Sequence, residues 1–249
     1  RYQISTNVAA VLLVIIATFI FKWPLPLTAT QLLVINILMD GPPAVALGIE
    51  KRHGDVMERP PRPLDEPLPN GPDLLMIGFL GIVMVFGTLA IFSLAGGATQ
   101  TEIPCTGKDP YLVADELFFE SNGDCNVAYW DQYAEGRVYH ARTIAFTTFC
   151  MFQLFNVVNC RSIDISAFKL GLFNNRAISI SFAISLTMLL FIVQGSHRVI
   201  PFVGIPLGDL LATMPLAMST WPVIILLASS VFWVEEVRKL IFAGYTRTR

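Results

Sequence analysis

Asp40 is the residue of this sequence that is best placed to bind a cation. Of the 19 acidic residues, it is the only one that lies deep within an apolar span. Burying a carboxylate in hydrocarbon is costly, and intramembrane acids commonly mark ion pathways. Asn36 precedes Asp40 by one helical turn, so a helix would place both oxygen-bearing side chains on one face. We therefore predict that Asn36 and Asp40 form half of a cation site. A carboxylate that only hydrogen-bonds between packed helices is the alternative.

The residues after Asp40 predict a break in its helix. Gly41, Pro42 and Pro43 follow directly. Proline has no backbone N–H and its ring clashes with the preceding turn, so a regular helix cannot continue through this point. The break frees carbonyl oxygens near Asp40, and freed carbonyls at membrane depth are tolerated where they line a cavity or an ion path.

The composition predicts an all-α membrane protein. Hydrophobic residues make up 54% of the sequence and charged residues 14%, and the mean hydropathy is +0.60. A soluble domain typically carries about 25% charged residues. Each apolar span is near the roughly 20 residues that cross a bilayer. The predicted bundle of six transmembrane helices covers residues 4–21, 27–49, 74–95, 145–160, 177–193 and 216–234.

The charge pattern predicts the orientation and argues against a nucleic-acid partner. The net charge is −2 and no basic patch is present. Because the sequence starts with Arg1 and reaches its first span at once, we expect a fragment of a larger protein. Six spans place both termini on one side, and cytoplasmic termini put 12 of the 17 Lys and Arg residues in cytoplasmic segments. The charged residues 235–239 after the last span are expected to form an inner helix end.

Two polar features lie in and before the fourth span. Residues 96–142 are expected to form a long extracytoplasmic loop that holds Cys105 and Cys125. The fourth span carries Gln153, Asn156 and Asn159 at three-residue spacing, a stripe that predicts hydrogen bonds within the bundle. Its two cysteines, at positions 150 and 160, are expected to be reduced. The sequence contains no nucleophile–base set and no phosphate-binding glycine loop, so we expect no catalytic residue in it.

Two motifs resemble P-type calcium-transporting ATPases. The sequence NILMDGPPAVALGIE at residues 36–50, with MERPPR at 57–62, resembles the sixth helix and the following cytoplasmic loop of calcium pumps, especially secretory-pathway and bacterial ones. NVVN at 156–159, with FNN at 173–175, resembles the eighth helix and next loop of plasma-membrane pumps. The resemblance covers nearly the entire chain, so the spans would be helices five to ten of a ten-helix membrane domain.

The resemblance implies one part of an ATP-driven pump. ATP and Mg²⁺ would bind the missing cytoplasmic domains, and the partners would be those domains, helices one to four and the lipid bilayer. Asn36 and Asp40 match the family's retained calcium site, and Asn7 matches a fifth-helix asparagine. Ala10, Met39 and Gln153 replace ligands of the family's second ion site. The resemblance therefore implies one Ca²⁺ per ATP, proton countertransport and a plasma-membrane location.

Three alternatives stay open at this point. A pump for manganese as well as calcium fits, because amide, carboxylate and carbonyl oxygens suit either ion. An ion-coupled secondary transporter also uses broken helices at mid-membrane. A structural or regulatory membrane subunit would bind no ion.

We predict a disulfide bond between Cys105 and Cys125, because an extracytoplasmic compartment is oxidising. Closing a loop of about 20 residues would stabilise the folded loop by about 3 kcal/mol in the chain-entropy model. Mass spectrometry of non-reduced, correctly inserted protein should find the two peptides linked. Free thiols at both positions would contradict either the disulfide or the orientation.

Overall fold

The computed structural model describes residues 1–50, 71–98, 127–162, 165–171, 174–199 and 206–242. The motif at 57–62 and both Cys105 and Cys125 lie outside these ranges. The helices in the described ranges are α1 (Tyr2–Ile15), α2 (Ala29–Val34), α3 (Gly41–Gly48), α4 (Gly71–Leu94), α5 (Val127–Asn159), α6 (Ala167–Leu170), α7 (Arg176–Gln194), α8 (Leu207–Leu211) and α9 (Thr220–Phe242). Two π-helical turns, Ile16–Ile20 and Ile35–Met39, extend α1 and α2.

The predicted bundle of transmembrane helices is confirmed. Within the described ranges, six helical stretches are long and apolar enough to cross a membrane. They are Tyr2–Ile20, Ala29–Gly48, Leu74–Leu94, Val138–Asn159, Arg176–Gln194 and Thr220–Ile241. The first, second, third and fifth predicted spans agree with these within two residues at each end, and the last lies several residues further along the chain. The short helices α6 and α8 lie between spans.

The fourth span begins earlier than the sequence predicted. Helix α5 starts at Val127, inside the range 96–142 that was assigned to a loop, and its apolar part starts at Val138. The polar residues there obscured the helix, but the fold gives them partners. Arg142 donates from Nε to the Leu25 carbonyl over 3.0 Å, and the Thr143 hydroxyl accepts from the Met214 amide over 3.1 Å. These bonds tie α5 to two turns at its end of the bundle.

Helix α5 is the centre of the bundle. Of its apolar stretch 83% is buried, against 33–44% for the other five. It packs against α4, α7 and α9, while α1 packs against α4 and α3 against α7. Phe146, Phe149 and Phe152 of α5 are fully buried. Gly87 of α4 lies so close to Phe152 that a Cβ there would be 2.6 Å from the ring, so the lack of a side chain sets this approach.

The two ends of the bundle are distinguished by an aromatic contact at one and an ion pair at the other. At one end, here called the Trp23 end, Trp23 packs near Phe92 with ring centroids 6.4 Å apart. The opposite Glu50 end contains Glu50 after α3 and Arg161 after α5, which form an ion pair at 3.0 Å. Arg1 also lies at the Glu50 end, where it lines a small cavity with Asn159. The start of α1 and the end of α9 therefore lie at the same end, as six crossings require.

The charged residues near the end of α9 are buried rather than exposed. The sequence predicted a charged helix end at 235–239, but α9 continues to Phe242. Glu235, Glu236 and Lys239 are each no more than 3% exposed. The Lys239 ammonium donates to the Asn159 carbonyl over 3.2 Å, and Glu236 accepts from the Ala167 amide over 2.9 Å. Buried charges persist where they are paired and hydrogen-bonded, and here they join α9 to α5 and α6.

Candidate cation site

The helix that carries Asp40 is broken at that residue, as the sequence predicted. The turn before it is π-helical, and the Asp40 amide donates to the Ile35 carbonyl over 2.9 Å. The chain bends at Asp40, and α3 starts at the next residue with its two prolines in the first turn. Proline is favoured there because the first amides of a helix have no intrahelical partner. The break therefore divides this span into two helical pieces that meet at Asp40. The first is α2 with its π-helical turn, and the second is α3.

The break leaves backbone oxygens of two residues without their usual donors. In a regular helix, Leu38 and Met39 would accept from the amides of residues 42 and 43, which are both proline. The Ala44 amide, the next donor along the chain, binds the Asp40 carbonyl over 3.0 Å. Carbonyl oxygens are ligands that hard cations such as Ca²⁺ accept. The two carbonyls adjoin Asp40 in sequence and have no helix donor at the following prolines.

The Asp40 carboxylate is buried and held by α1. It is 2% exposed. The Tyr2 hydroxyl donates to Oδ1 over 3.0 Å, and the Thr6 hydroxyl lies 3.3 Å from Oδ2. Tyr2 and Thr6 are four residues apart on α1 and are both buried, so they share one face. Each carboxylate oxygen therefore has one hydroxyl within hydrogen-bond distance.

The Thr6 hydroxyl is the weaker of these two donors. Its oxygen also lies 3.2 Å from the Tyr2 carbonyl and 3.1 Å from the Gln3 carbonyl. A threonine hydroxyl has only one proton to share among these acceptors. Tyr2 therefore makes the firmer contact with Asp40, and Thr6 can exchange between the carboxylate and its own helix.

The polar stripe on α5 faces the bundle interior, as predicted. Asn156 donates from Nδ2 to the Ser5 hydroxyl of α1 over 3.0 Å, and Asn159 donates to the Val231 carbonyl of α9 over 3.0 Å. Gln153 is 1% exposed, and within the described ranges its amide nitrogen and oxygen have no hydrogen-bond partner. The predicted thiols Cys150 and Cys160 are free. The stripe thus connects α5 to α1, next to the residues that hold Asp40.

The two predicted amide ligands lie apart from this buried network. Asn7 and Asn36 are both exposed, on α1 and on the π-helical turn before Asp40. Neither is among the hydrogen-bond partners of Asp40, which are Tyr2 and Thr6. The structure thus encloses Asp40 and leaves both amides open on the surface of the described bundle.

The positions that match the family's second ion site are closed and largely apolar. Ala10 is 6% exposed and Met39 is fully buried, and both belong to the main hydrophobic cluster. No group of three or more His, Cys, Asp or Glu side chains that could hold a metal is found in the described part of the chain. A cation at Asp40 would therefore depend on one carboxylate of this chain together with amide and carbonyl oxygens.

Sequence reasoning did not identify Tyr2 and Thr6 as partners of Asp40. The signal was present, because Tyr2, Thr6, Ala9 and Leu13 follow a helical period and lie on one buried face. Which acceptor that face meets depends on how α1 is rotated against its neighbours. That rotation follows from packing and not from the local sequence.

Comparison with known proteins assigns the family. A family described as "Cation transporting ATPase, C-terminus" matches residues 24–241. This chain belongs to that family. Membership of the cation-transporting ATPase family argues against the secondary-transporter alternative and accounts for the order of the six spans.

Individual relatives agree with the family. Calcium-transporting ATPase 1 of Schizosaccharomyces pombe is 33% identical over 240 residues, which cover 96% of this chain and 21% of that protein. Calcium-transporting ATPase type 2C member 2 of Mus musculus is 32% identical over 242 residues, with the same 96% and 21%. Calcium-transporting ATPase 1 of Saccharomyces cerevisiae is 31% identical over 239 residues. This member of the family thus spans 21% of the length of the first two relatives.

We predict that the two hydroxyls stabilise the fold through Asp40. Thr6→Val and Tyr2→Phe should each lower the free energy of unfolding by about 1 kcal/mol, because each leaves a buried carboxylate oxygen without a donor. Thr88→Val is the matched control, since Thr88 is also buried and its hydroxyl bonds to its own helix, to the Met84 carbonyl over 2.8 Å. Denaturant unfolding of the purified protein in detergent measures all three. Equal losses for Thr6→Val and Thr88→Val would show that the contact with Asp40 contributes nothing.

Proposed function

We propose that this chain is the membrane-embedded ion-translocation part of an ATP-driven calcium pump. The observation that carries the proposal is the buried Asp40 carboxylate at a break between two short helices. Its family and the names of its relatives support transport of a cation and favour calcium. Calcium takes 6–8 oxygen ligands in a flexible shell. Asp40, the carbonyls of Leu38 and Met39, and the amides of Asn36 and Asn7 supply oxygens of the required kinds.

The site is completed by a segment outside this chain. Asn7 and Asn36 are exposed here, while Asp40 is enclosed by α1. Exposed amides on the elements that carry and hold a buried acid fit a site whose remaining wall comes from the first four helices of the pump. One acid from that wall, together with Asp40, would carry the two negative charges that neutralise one Ca²⁺.

Ion binding requires an exchange of partners at Asp40. Without an ion, the hydroxyls of Tyr2 and Thr6 satisfy the carboxylate oxygens. A bound Ca²⁺ takes at least one of these oxygens, and the weakly held Thr6 hydroxyl can return to the carbonyls of its own helix. When the ion leaves, the same hydroxyls and a proton compensate the buried charge, which supports proton countertransport.

The energy for transport would come from the rest of the pump. ATP and Mg²⁺ would bind the cytoplasmic domains, and phosphorylation of an aspartate there would divide the cycle into separate steps. The excess of Lys and Arg supports cytoplasmic termini, which places the Glu50 end next to those domains. The plasma membrane stays our prediction for the location.

We expect Asp40→Asn to abolish calcium-dependent phosphorylation of the full-length protein by ATP. The substitution keeps the shape of the side chain but removes the charge that balances the ion. The measurement is phosphoenzyme formation across a calcium titration, repeated with Mn²⁺ to identify the preferred ion. Asp209→Asn is the matched control, because Asp209 is exposed in the short helix α8. Near-normal calcium transport by the Asp40 variant would refute its role as a ligand.

The pump should move one Ca²⁺ for each ATP. Two dications in a low dielectric repel strongly, so a second ion would need further carboxylates. The positions that would supply them hold Ala10 and Gln153, and Met39 offers sulfur in place of a hydroxyl. Equilibrium calcium binding to the purified full-length protein should give one ion per phosphorylation site and a Hill coefficient of about 1. Two cooperative ions per site would contradict the charge argument.

A further inference from the structure

Glu50, just beyond the end of α3, is held by residues from two other parts of the bundle. Arg161, which follows α5, donates from Nη2 to Oε1 over 3.0 Å and from Nε to Oε2 over 3.4 Å. Asn175, which precedes α7, donates from Nδ2 to Oε2. Two parallel bonds from a guanidinium to a carboxylate fix direction as well as distance. We call these three residues the Glu50 clasp.

Each partner in the Glu50 clasp is fixed by a second bond. Arg161 also donates from Nη1 to the Gly171 carbonyl over 2.9 Å. The Asn175 side-chain oxygen accepts from the Ala177 amide over 2.8 Å, which caps the first turn of α7. The Arg161 side chain is 1% exposed and that of Glu50 is 10% exposed. A pair so shielded from water is screened far less than a surface ion pair. The Glu50 clasp therefore joins α3 to α5 and α7 at a defined position.

The Glu50 clasp and Asp40 lie at opposite ends of the same short helix. Ten residues separate Asp40 from Glu50, which is about 15 Å along a helix axis. Helix α3 also packs along α7. On the other side of Asp40 the chain bends, and α2 and its π-helical turn continue in a separate piece. A movement of α2 relative to α3 would be taken up at this bend, and the Glu50 clasp would oppose movement of α3.

We infer that the Glu50 clasp holds α3 stationary on α5 and α7 and thereby positions Asp40 for the ion. The conformational change on ion binding then takes place in α1 and α2. Glu50, Arg161 and Asn175 act as positioning residues, since none of them bonds to Asp40. This inference rests on the proposed function, because it assigns a role in forming the same site.

The first test is a calcium titration of phosphorylation in the full-length protein. Glu50→Gln and Arg161→Gln should raise the calcium concentration for half-maximal phosphorylation by about fivefold or more, while the level at saturating calcium is retained. Arg161→Lys should give an intermediate shift, because lysine keeps the charge but not the two parallel bonds. The double variant Glu50→Gln with Arg161→Gln removes both charges of this pair together, so it covers the case in which a single variant fails to fold.

Arg238→Gln is the matched control for this titration. Arg238 also forms two bonds with a carboxylate, at 2.9 and 2.8 Å to Glu235, but both residues belong to α9. The control removes a guanidinium–carboxylate pair without separating α3 from its neighbours, so its half-maximal calcium concentration should not change. Unchanged values for the Glu50 and Arg161 variants, or a shift of equal size in the control, would overturn the inference.

A second measurement tests, independently of transport, whether the Glu50 clasp holds α3. Hydrogen exchange of the full-length protein in detergent should be faster at the amides of residues 44–48 in the Arg161→Gln variant and in the double variant than in the unchanged protein or Arg238→Gln. If the unchanged protein shows no calcium-dependent phosphorylation, the proposed function fails and this result still decides whether α3 is held. Unaltered exchange at residues 44–48 would show that the Glu50 clasp does not hold the helix.

Discussion

The central constraint of this structure is a carboxylate buried at a point where its own helix cannot satisfy it. Asp40 is nearly inaccessible, and its hydrogen-bond donors come from another helix. An isolated buried carboxylate would be strongly unfavourable, so the rotation of α1 that presents Tyr2 and Thr6 to Asp40 is favoured. The same rotation turns Ser5 toward Asn156 of α5. The orientation of α1 in the bundle is thus linked to one buried acid.

Helix α5 is the central helix against which α4, α7 and α9 of the bundle pack. Its apolar part is mostly buried. It meets α4 where the ring of Phe152 lies against Gly87, which has no side chain to block this approach. Without a hydrophobic force between helices in lipid, association depends on such close packing and on hydrogen bonds. Asn159 supplies one of these bonds, to the Val231 carbonyl of α9. A helix with this many fixed neighbours is suited to remain in place while others move.

The sequence predicted the properties that depend on a single segment of the chain. It missed those that depend on contacts between two distant segments. Span length depends only on a run of apolar residues, and the break at Asp40 follows from the chemistry of two prolines, so both were predicted closely. The first part of α5 was assigned to a loop because it is polar, and the acceptor that Arg142 meets in a distant turn is not visible in the local sequence. Glu236 and Lys239 were assigned to a charged helix end, and their burial in the fold depends on partners in α5 and α6 that the local sequence does not reveal. Asn7 and Asn36 as ligands stay predictions, because the carboxylate of Asp40 bonds instead to Tyr2 and Thr6.

The length of α5 has a consequence for the face of the membrane at the Trp23 end. The helix contains 33 residues, which corresponds to about 50 Å, whereas the hydrocarbon core of a bilayer is about 30 Å thick. From Val127 to the start of the apolar part at Val138 it extends about 16 Å. A helix of this length, set across the membrane, extends past the hydrocarbon core at the Trp23 end. Molecules that approach this face of the protein would therefore meet a helical protrusion in place of an extended loop.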